Sequence, residues 1–367
     1  MPSSEQSPSD RMTSVFGFVR RHLTKLVVSC VIGVAFWLVL RGGGLPVVPA
    51  SSEFQSVRWW TCGAYALVLA GWSFVRAMRS RHMLRPVANV STREVLAVSW
   101  IGFLAIFVLP FRLGEAVRPA LLHSKGSVPF ATGTGAFGAE RIIDGLFLMV
   151  LLGVTLPLGK PLSPLPTHIG KLPIPVYAVP AAAYTMLVVF LCAVAAMAWF
   201  YWRRELARRL THKVLGKVSH RLATIMAEQV EKLSNGMGFL PSPRHLAAYL
   251  LETALYWGMA AAGMWLLGWG CGLEQMNFVR ACALMGVLGL GIIVPGAPGY
   301  FGAFQASIYA GLALYFPEDI VLGKGSAYVF LLYGTQLSMM FVHALVGTLI
   351  DRRAPSLQVA MEVKAAS

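Results

Sequence analysis

The sequence predicts an all-α polytopic membrane protein, an inverted-topology repeat of six full spans plus two re-entrant helical hairpins. Three observations predict this fold. The 367 residues are 56 % hydrophobic and only 13 % charged, with a mean hydropathy of +0.64, which is outside the range of soluble domains. The net charge of +15 lies mostly in short segments between apolar runs, as the positive-inside rule expects. Two of the apolar stretches are interrupted near their middle by Pro and Gly.

The apolar runs give the predicted spans, because crossing a hydrocarbon core takes about 20 apolar residues. The six full spans are expected near 25–41, 58–77, 131–157, 176–201, 246–268 and 327–350. The two interrupted stretches are 95–125 and 278–316.

Basic residues assign the sides of the membrane. Lys and Arg cluster before the first span, after the second, after the fourth and after the last, so we expect these ends and both termini in the cytoplasm. Segments 42–57, 158–175 and 269–277 carry few basic residues or none and are expected outside. Stretch 95–125 must then enter and leave on the cytoplasmic side, and 278–316 on the outer side. The alternative is eight or more ordinary spans with incidental Pro and Gly.

This assignment divides the chain into two halves that run in opposite directions through the membrane. The predicted parts are a cytoplasmic segment 1–24, a first membrane repeat 25–157, an outer loop 158–175, a second membrane repeat 176–350 and a cytoplasmic tail 351–367. Within the second repeat, 203–243 is predicted to be a basic amphipathic helix on an anionic leaflet, because apolar residues recur every four positions from Leu206 to Val230. A solvated connector between the halves is the alternative.

Charged residues inside the apolar stretches mark the candidate site. A charge at membrane depth costs a few kcal/mol or more, so such residues face protein or a water-filled cavity. We predict that two charged faces meet and bind substrate there; their members are Arg112, Glu115, Arg118, Glu140, Arg141 and Asp144. The planar fork of arginine grips phosphate, so Arg112 and Arg118 are expected to hold a lipid headgroup. Alternatively, the charges only tie the first hairpin to the third span.

The hairpin tips share a local pattern. Pro110 and Gly114 repeat the Pro-x-x-x-Gly spacing of Pro295 and Gly299, and paired interruptions in two halves are typical of a midplane transport site. We therefore expect gating at the tips, with Gly296 and Gln305 taking part. Other polar residues within the spans are Glu252, as a partner for Arg244 or a proton carrier, and Tyr333, Gln336 and His343, facing the cavity or packed.

Several function classes are not expected, because the motifs typical of them are missing from the sequence. The sequence contains no G-x-S-x-G, no H-E-x-x-H and no Walker lysine loop, so we expect neither an enzyme nor a cofactor. Five cysteines are scattered singly with no histidine at metal-ligand spacing, so no metal site is expected. Nucleic acid is not an expected partner, because the basic residues lie between apolar runs.

Three stretches resemble a known family. LPFRLGEAVRPALL, GAERIIDGLFLMVLL and VPGAPGYFGAFQASI resemble the lysylphosphatidylglycerol synthase transmembrane region, a flippase-like integral membrane family of bacteria and archaea, over about residues 20–350. The resemblance implies lipid translocation, and the positions that fit the family pattern are those of the charged faces and of Gly114, Pro295, Gly296 and Gly299. Gln305 stands where the family often has glutamate. No aminoacyl-transferase domain follows, so synthesis of lysylphosphatidylglycerol is not expected.

We therefore expect a lipid flippase or scramblase in the bacterial inner membrane. It would move an anionic phospholipid or a polyprenyl-phosphate-type lipid through a central charged cavity. The alternative is a non-transporting partner that binds lipid and supports a separate lipid-modifying enzyme, and a membrane enzyme comes third.

Overall fold

The computed structural model describes residues 31–173, 176–215, 220–293 and 297–350, and these are predominantly helical. The first half contains α1 (Val31–Gly42), α2 (Trp60–Met78), α3 (Ser80–Leu84), α4 (Thr92–Val108), α5 (Val117–Ser124) and α6 (Phe130–Leu158). Helix α7 (Val179–Trp202) is followed by α8 (Arg204–Leu215) and α9 (His220–Asn235). The second half contains α10 (Pro243–Gly270), α11 (Phe278–Gly291), α12 (Ala303–Ala313), α13 (Glu318–Leu322) and α14 (Lys324–Ile350).

Four of the described helical segments are long and apolar enough to cross a membrane. They are Phe130–Leu158, Val176–Trp202, Pro243–Gly270 and Glu318–Ile350, and they contain four of the predicted spans. The second predicted span is α2, whose 19 residues extend about 28 Å, and it is not one of these four. The first predicted span begins outside the described residues. Six spans in total therefore stay a prediction.

Both interrupted stretches contain a break between two short helices. Helix α4 ends at Val108, a 3-10 helix covers Pro110–Ala116, and α5 follows. Only glycine fits at position 114, because a Cβ atom there would lie 2.2 Å from the Ala105 carbonyl oxygen. With 17 residues in α4 and 8 in α5, neither helix reaches the ~30 Å of a hydrocarbon core.

The second break follows the same plan. Helix α11 ends at Gly291, a 3-10 helix covers Pro298–Tyr300, and α12 begins at Ala303 and packs against α11. The chain turns through positive φ angles at Gly299 (74°), Tyr300 (54°) and Gly302 (87°), a conformation that favours glycine. Pro295 and Gly296 lie outside the described residues. The re-entrant path of both hairpins stays a prediction.

Two helices occupy the segment where one is predicted. Helices α8 and α9 pack against each other, and α9 also packs against α6. An apolar repeat of four residues drifts around a helix of 3.6 residues per turn, so one straight helix cannot keep it on one face.

The two breaks meet in the interior. Phe107, near the end of α4, packs against Tyr300 of the second break, with ring centroids 5.8 Å apart and planes at 79°. The Tyr333 hydroxyl on α14 donates a hydrogen bond of 3.1 Å to the Gly299 carbonyl. The interrupted stretches of the two halves therefore contact each other, and α14 also holds the second one through Tyr333.

Candidate functional site

Arg79 lies at the centre of the charged residues. Its side chain is fully buried, and its two terminal nitrogens donate to the two Asp144 carboxylate oxygens at 2.5 and 2.6 Å. The same guanidinium also donates to Glu140 Oε1 at 3.1 Å and to the Thr253 hydroxyl at 3.1 Å. The fork of Arg79 therefore joins α6 and α10 at the end of α2.

The depth of this contact explains why the charges are paired. Glu140 lies ten residues after Phe130, the first residue of α6, and Thr253 ten residues after Pro243, the first of α10. At 1.5 Å per residue, both are about 15 Å from the ends of helices long enough to span a membrane. An unpaired charge at such a depth is costly, so the carboxylates and arginines neutralise one another.

Arg118 forms the second layer. One terminal nitrogen donates to Glu140 Oε2 at 2.8 Å, and the other donates to the Ser80 hydroxyl at 2.6 Å. Its guanidinium lies 3.8 Å from the centre of the Phe137 ring. The stem passes Gly102 on α4, where a Cβ atom would approach the Arg118 Cγ to 2.2 Å. With its side chain 1 % exposed, Arg118 is enclosed by the protein, and the headgroup contact predicted for it stays a prediction.

Arg141 and Glu115 form the accessible edge. Arg141 donates to Glu140 Oε1 at 3.0 Å, and its Nε lies 3.3 Å from Glu115 Oε2 without hydrogen-bond geometry. The Arg141 and Glu115 side chains are 32 % and 31 % exposed. Glu140 thus pairs with three arginines. Only Arg141 and Glu115 can exchange partners without breaking the buried ion pairs of Arg79 and Arg118.

We name the residues just described, Arg79, Arg118, Arg141, Glu115, Glu140 and Asp144, the charged cluster. Five of its six members are predicted from the sequence, and Arg79 is not. The positive-inside rule places Arg79 with the other basic residues in a cytoplasmic loop after the second span, but its side chain enters the bundle. A usable signal is its spacing of three residues from Arg76 at the end of an apolar run.

The remaining predicted residues have different positions. The side chains of Pro110 and Arg112 lie outside the described residues, so the contact predicted for Arg112 stays a prediction. Gln305 is buried, and its amide oxygen accepts a hydrogen bond of 2.7 Å from the Gly302 backbone N–H. Gln305 therefore caps α12 just after the second break.

Glu252 has a different partner from the predicted one. Its Oε1 lies 3.2 Å from His82 Nε2 on α3, and not next to Arg244. Because α10 packs against α2 and α3, its face with Glu252 and Thr253 is directed toward these helices, whereas Arg244 lies about two turns nearer its start.

A small cavity lies beside the charged cluster. It contains about 10 Å³ of internal space, room for roughly one water molecule. Trp72 and Ser73 of α2, Phe103 of α4, and Gln336 and His343 of α14 line it. Among the described residues, no group of three or more His, Cys, Asp or Glu side chains offers a metal site.

Comparison with known proteins gives a match to a family. The family model described as the lysylphosphatidylglycerol synthase TM region matches residues 19–338, which include the charged cluster and both breaks. No curated protein and no solved structure matches the chain.

Proposed function

Because the chain belongs to the lysylphosphatidylglycerol synthase TM region family, we propose that it moves a phosphate-bearing lipid across the bacterial inner membrane. The family indicates a membrane protein of lipid metabolism or transport. The proposed ligand is an anionic phospholipid or a polyprenyl-phosphate-type lipid. Its headgroup passes the protein interior while its tails remain in the bilayer, and no catalytic residue is needed.

The observation that carries this proposal is the charged cluster at membrane depth. Charges inside a membrane protein are rare and mark the pathway of a polar substrate by default. Here the buried Arg79 and Arg118 are already paired with carboxylates, whereas Arg141 and Glu115 are about one third exposed. A lipid phosphate can displace Glu115 from Arg141, because it offers the same anionic oxygens in the geometry that a guanidinium prefers.

The pairing of helices supports the inverted repeat. Helix α2 packs against α10, its counterpart in the other half. The pair α4 and α14 has its equivalent in α11 and α6, and the pair α2 and α4 has its equivalent in α10 and α11. Likewise α5 packs against α6 as α12 packs against α14. A two-fold axis in the membrane plane would generate these equivalences, although the contact of α14 with α2 has no equally close counterpart among the described helices.

The meeting of the two breaks supports a gating role. Phe107, Tyr300 and Tyr333 close the space between the interrupted stretches, and the neighbouring cavity has room for only about one water. We infer that this is a closed state. Opening requires Phe107 and Tyr300 to separate, and the short helices on either side of each break can shift without breaking a full-length span.

The test is transbilayer movement of fluorescent phosphatidylglycerol in proteoliposomes. We expect Arg141→Gln to slow movement about tenfold or more, because a hydrogen bond to a charged group contributes about 1.5–3 kcal/mol. The matched control is Arg209→Gln on α8, since Arg209 is 76 % exposed and pairs only with Glu205 among the described residues. Equal rates for the wild type and Arg141→Gln would refute the role of the cluster.

The closed interior also favours a second candidate, a non-transporting lipid-binding partner of a lipid-modifying enzyme. In that case the charged cluster would hold the helices together, and a lipid would bind only at the edge. Retention of anionic lipid by the purified protein without any transbilayer movement, together with co-purification of such an enzyme, would support this second function.

A further inference from the structure

Helix α8 and the residue before it carry a concentrated positive charge that the proposed transport does not use. Residues 203–215 contain five Lys or Arg side chains and one Glu, and all six are exposed: Arg203, Arg204, Glu205, Arg208, Arg209 and Lys213. Glu205 pairs with two of the arginines, and Glu231 of α9 lies 4.0 Å from one of them. The other three basic side chains form no ion pair with any residue that the structure describes. Helix α8 therefore presents positive charge that the described chain does not neutralise.

Helix α8 begins where a helix long enough to cross a membrane ends. Helix α7 ends at Trp202 and α8 begins at Arg204, so a single residue joins them. Trp199 and Trp202 are exposed in the last turn of α7, and exposed Trp side chains are typical of the membrane–water interface. The first residues of α8 therefore lie at that interface, next to the headgroups of one leaflet.

Helix α9 ties α8 to the membrane-embedded part of the protein. It packs against both α8 and α6. The contact with α6 is close: a Cβ atom on Gly236 would lie 2.0 Å from the Thr132 carbonyl oxygen, and one on Gly135 would lie 2.0 Å from the Leu233 carbonyl oxygen. Thr132 and Gly135 belong to the first two turns of α6, which is long enough to span the membrane. The α8–α9 pair is therefore held beside the membrane at both of its ends, which argues against a solvated connector.

Apolar side chains on the α8–α9 pair are exposed as well. Leu206 of α8 is 43 % exposed, and Ile225 and Met226 of α9 are 45 % and 39 % exposed. In two helices surrounded by water, such side chains are expected to face the partner helix. Exposed basic side chains beside exposed apolar ones are typical of a helix in the headgroup region, where charge meets lipid phosphate and apolar side chains meet acyl chains.

We propose that α8 binds the anionic phospholipids of the leaflet beside which α7 ends, with Arg203, Arg204 and Lys213 contacting lipid phosphates. Charge selects both the partner and the helix. Residues 203–215 have a formal charge of +4, from five basic side chains against one acidic, whereas the two basic and two acidic residues of 220–235 cancel. Helix α8 rather than α9 therefore faces the headgroups. The contact goes beyond lipid transport, because it forms whether or not any lipid crosses the membrane.

The experiment is hydrogen–deuterium exchange of the full-length protein, followed by mass spectrometry. The protein is placed in lipid nanodiscs of phosphatidylcholine alone, or of equal parts phosphatidylcholine and phosphatidylglycerol. We expect the backbone amides of α8 to exchange about tenfold or more slowly in the anionic discs, because each Lys or Arg near an anionic leaflet strengthens binding about fivefold. The amides of α7 should exchange equally in both, since α7 contacts lipid in either disc.

A double variant tests whether the charges of α8 cause this difference. Arg204→Gln with Lys213→Gln should lose most of the slowing in the anionic discs. The matched control is Arg93→Gln with Arg244→Gln, which removes the same charge from two exposed arginines of α4 and α10. In that control, α8 should exchange as it does in the wild type.

Two results would overturn the proposal. One is equal exchange of α8 in the two kinds of disc, which would leave an acidic protein surface as the partner that the basic side chains fit. The other is slowing that the α8 double variant retains in full. If that variant does not fold, the comparison of the wild type in the two discs decides the question alone. Neither result bears on transport, because exchange at α8 is measured without lipid movement.

Discussion

Replacing Arg79 should destabilise the protein more than replacing any other arginine of the charged cluster. In Arg79→Gln, Asp144 loses the hydrogen bonds to both carboxylate oxygens and has no other described hydrogen-bond partner. Glu140 still pairs with Arg118 and Arg141. Breaking a buried pair by removing one partner costs about 3–5 kcal/mol, because the other charge stays buried and uncompensated. Arg118→Gln should cost less, since Glu140 keeps two arginines.

The companion variant Asp144→Asn provides the control for this reasoning. In the double variant Arg79→Gln with Asp144→Asn, both charges are gone, and much of the lost stability should return. The measurement is the unfolding of all four proteins in detergent, followed by circular dichroism during titration with a denaturing detergent. If Arg79→Gln unfolds within about 1 kcal/mol of the wild type, or if the double variant is no more stable than the single, then Asp144 is not held by this pair.

Three further changes test the edge of the cluster and the two breaks. Glu115→Gln should change the free energy of unfolding by only about 0.2–1 kcal/mol, because the pair of Glu115 with Arg141 is one third exposed. The same variant should bind anionic lipid more tightly in a titration. Weaker binding would contradict the proposal that lipid phosphate displaces Glu115. Gly114→Ala should lower the free energy of unfolding by about 1–3 kcal/mol or more, since the added Cβ would overlap the Ala105 backbone. The control Gly138→Ala should not destabilise the protein, because Gly138 has open space around it. Equal melting temperatures for the two variants would argue against the tight break. Gln305→Leu should lower the free energy of unfolding by about 0.5–2 kcal/mol, because α12 loses its cap. Gln305→Glu keeps the acceptor oxygen, so it should lower the stability less in the same unfolding assay. The reverse order would refute the capping role.

The elements that follow from local chemistry were predictable from the sequence. The length of the apolar runs gives α6, α7, α10 and α14, and the Pro and Gly residues give the two breaks, because proline lacks an amide donor and glycine adopts positive φ angles. The cost of charge in a membrane predicts that Arg118, Glu140 and Asp144 come together. These inferences do not depend on knowing which residues far apart in the sequence are in contact.

The partners of Arg79 and Glu252 depend on distant contacts and were not predictable in this way. Arg79 binds Asp144, 65 positions away, and Thr253, 174 positions away, and no periodicity within one helix contains that information. The positive-inside rule describes where basic residues occur on average. The Arg79 side chain instead enters the bundle, because three acceptor side chains of α6 and α10, those of Glu140, Asp144 and Thr253, lie at the end of α2. Glu252 pairs with His82 for the same reason, since α10 faces α3.

The most direct test of lipid transport is the rate at which the wild-type protein alone moves labelled phosphatidylglycerol between the leaflets of liposomes. We expect this rate to exceed that of protein-free liposomes and to rise in proportion to the amount of protein incorporated. A rate equal to that of protein-free liposomes, measured with protein that is folded and still binds the lipid, would contradict transport.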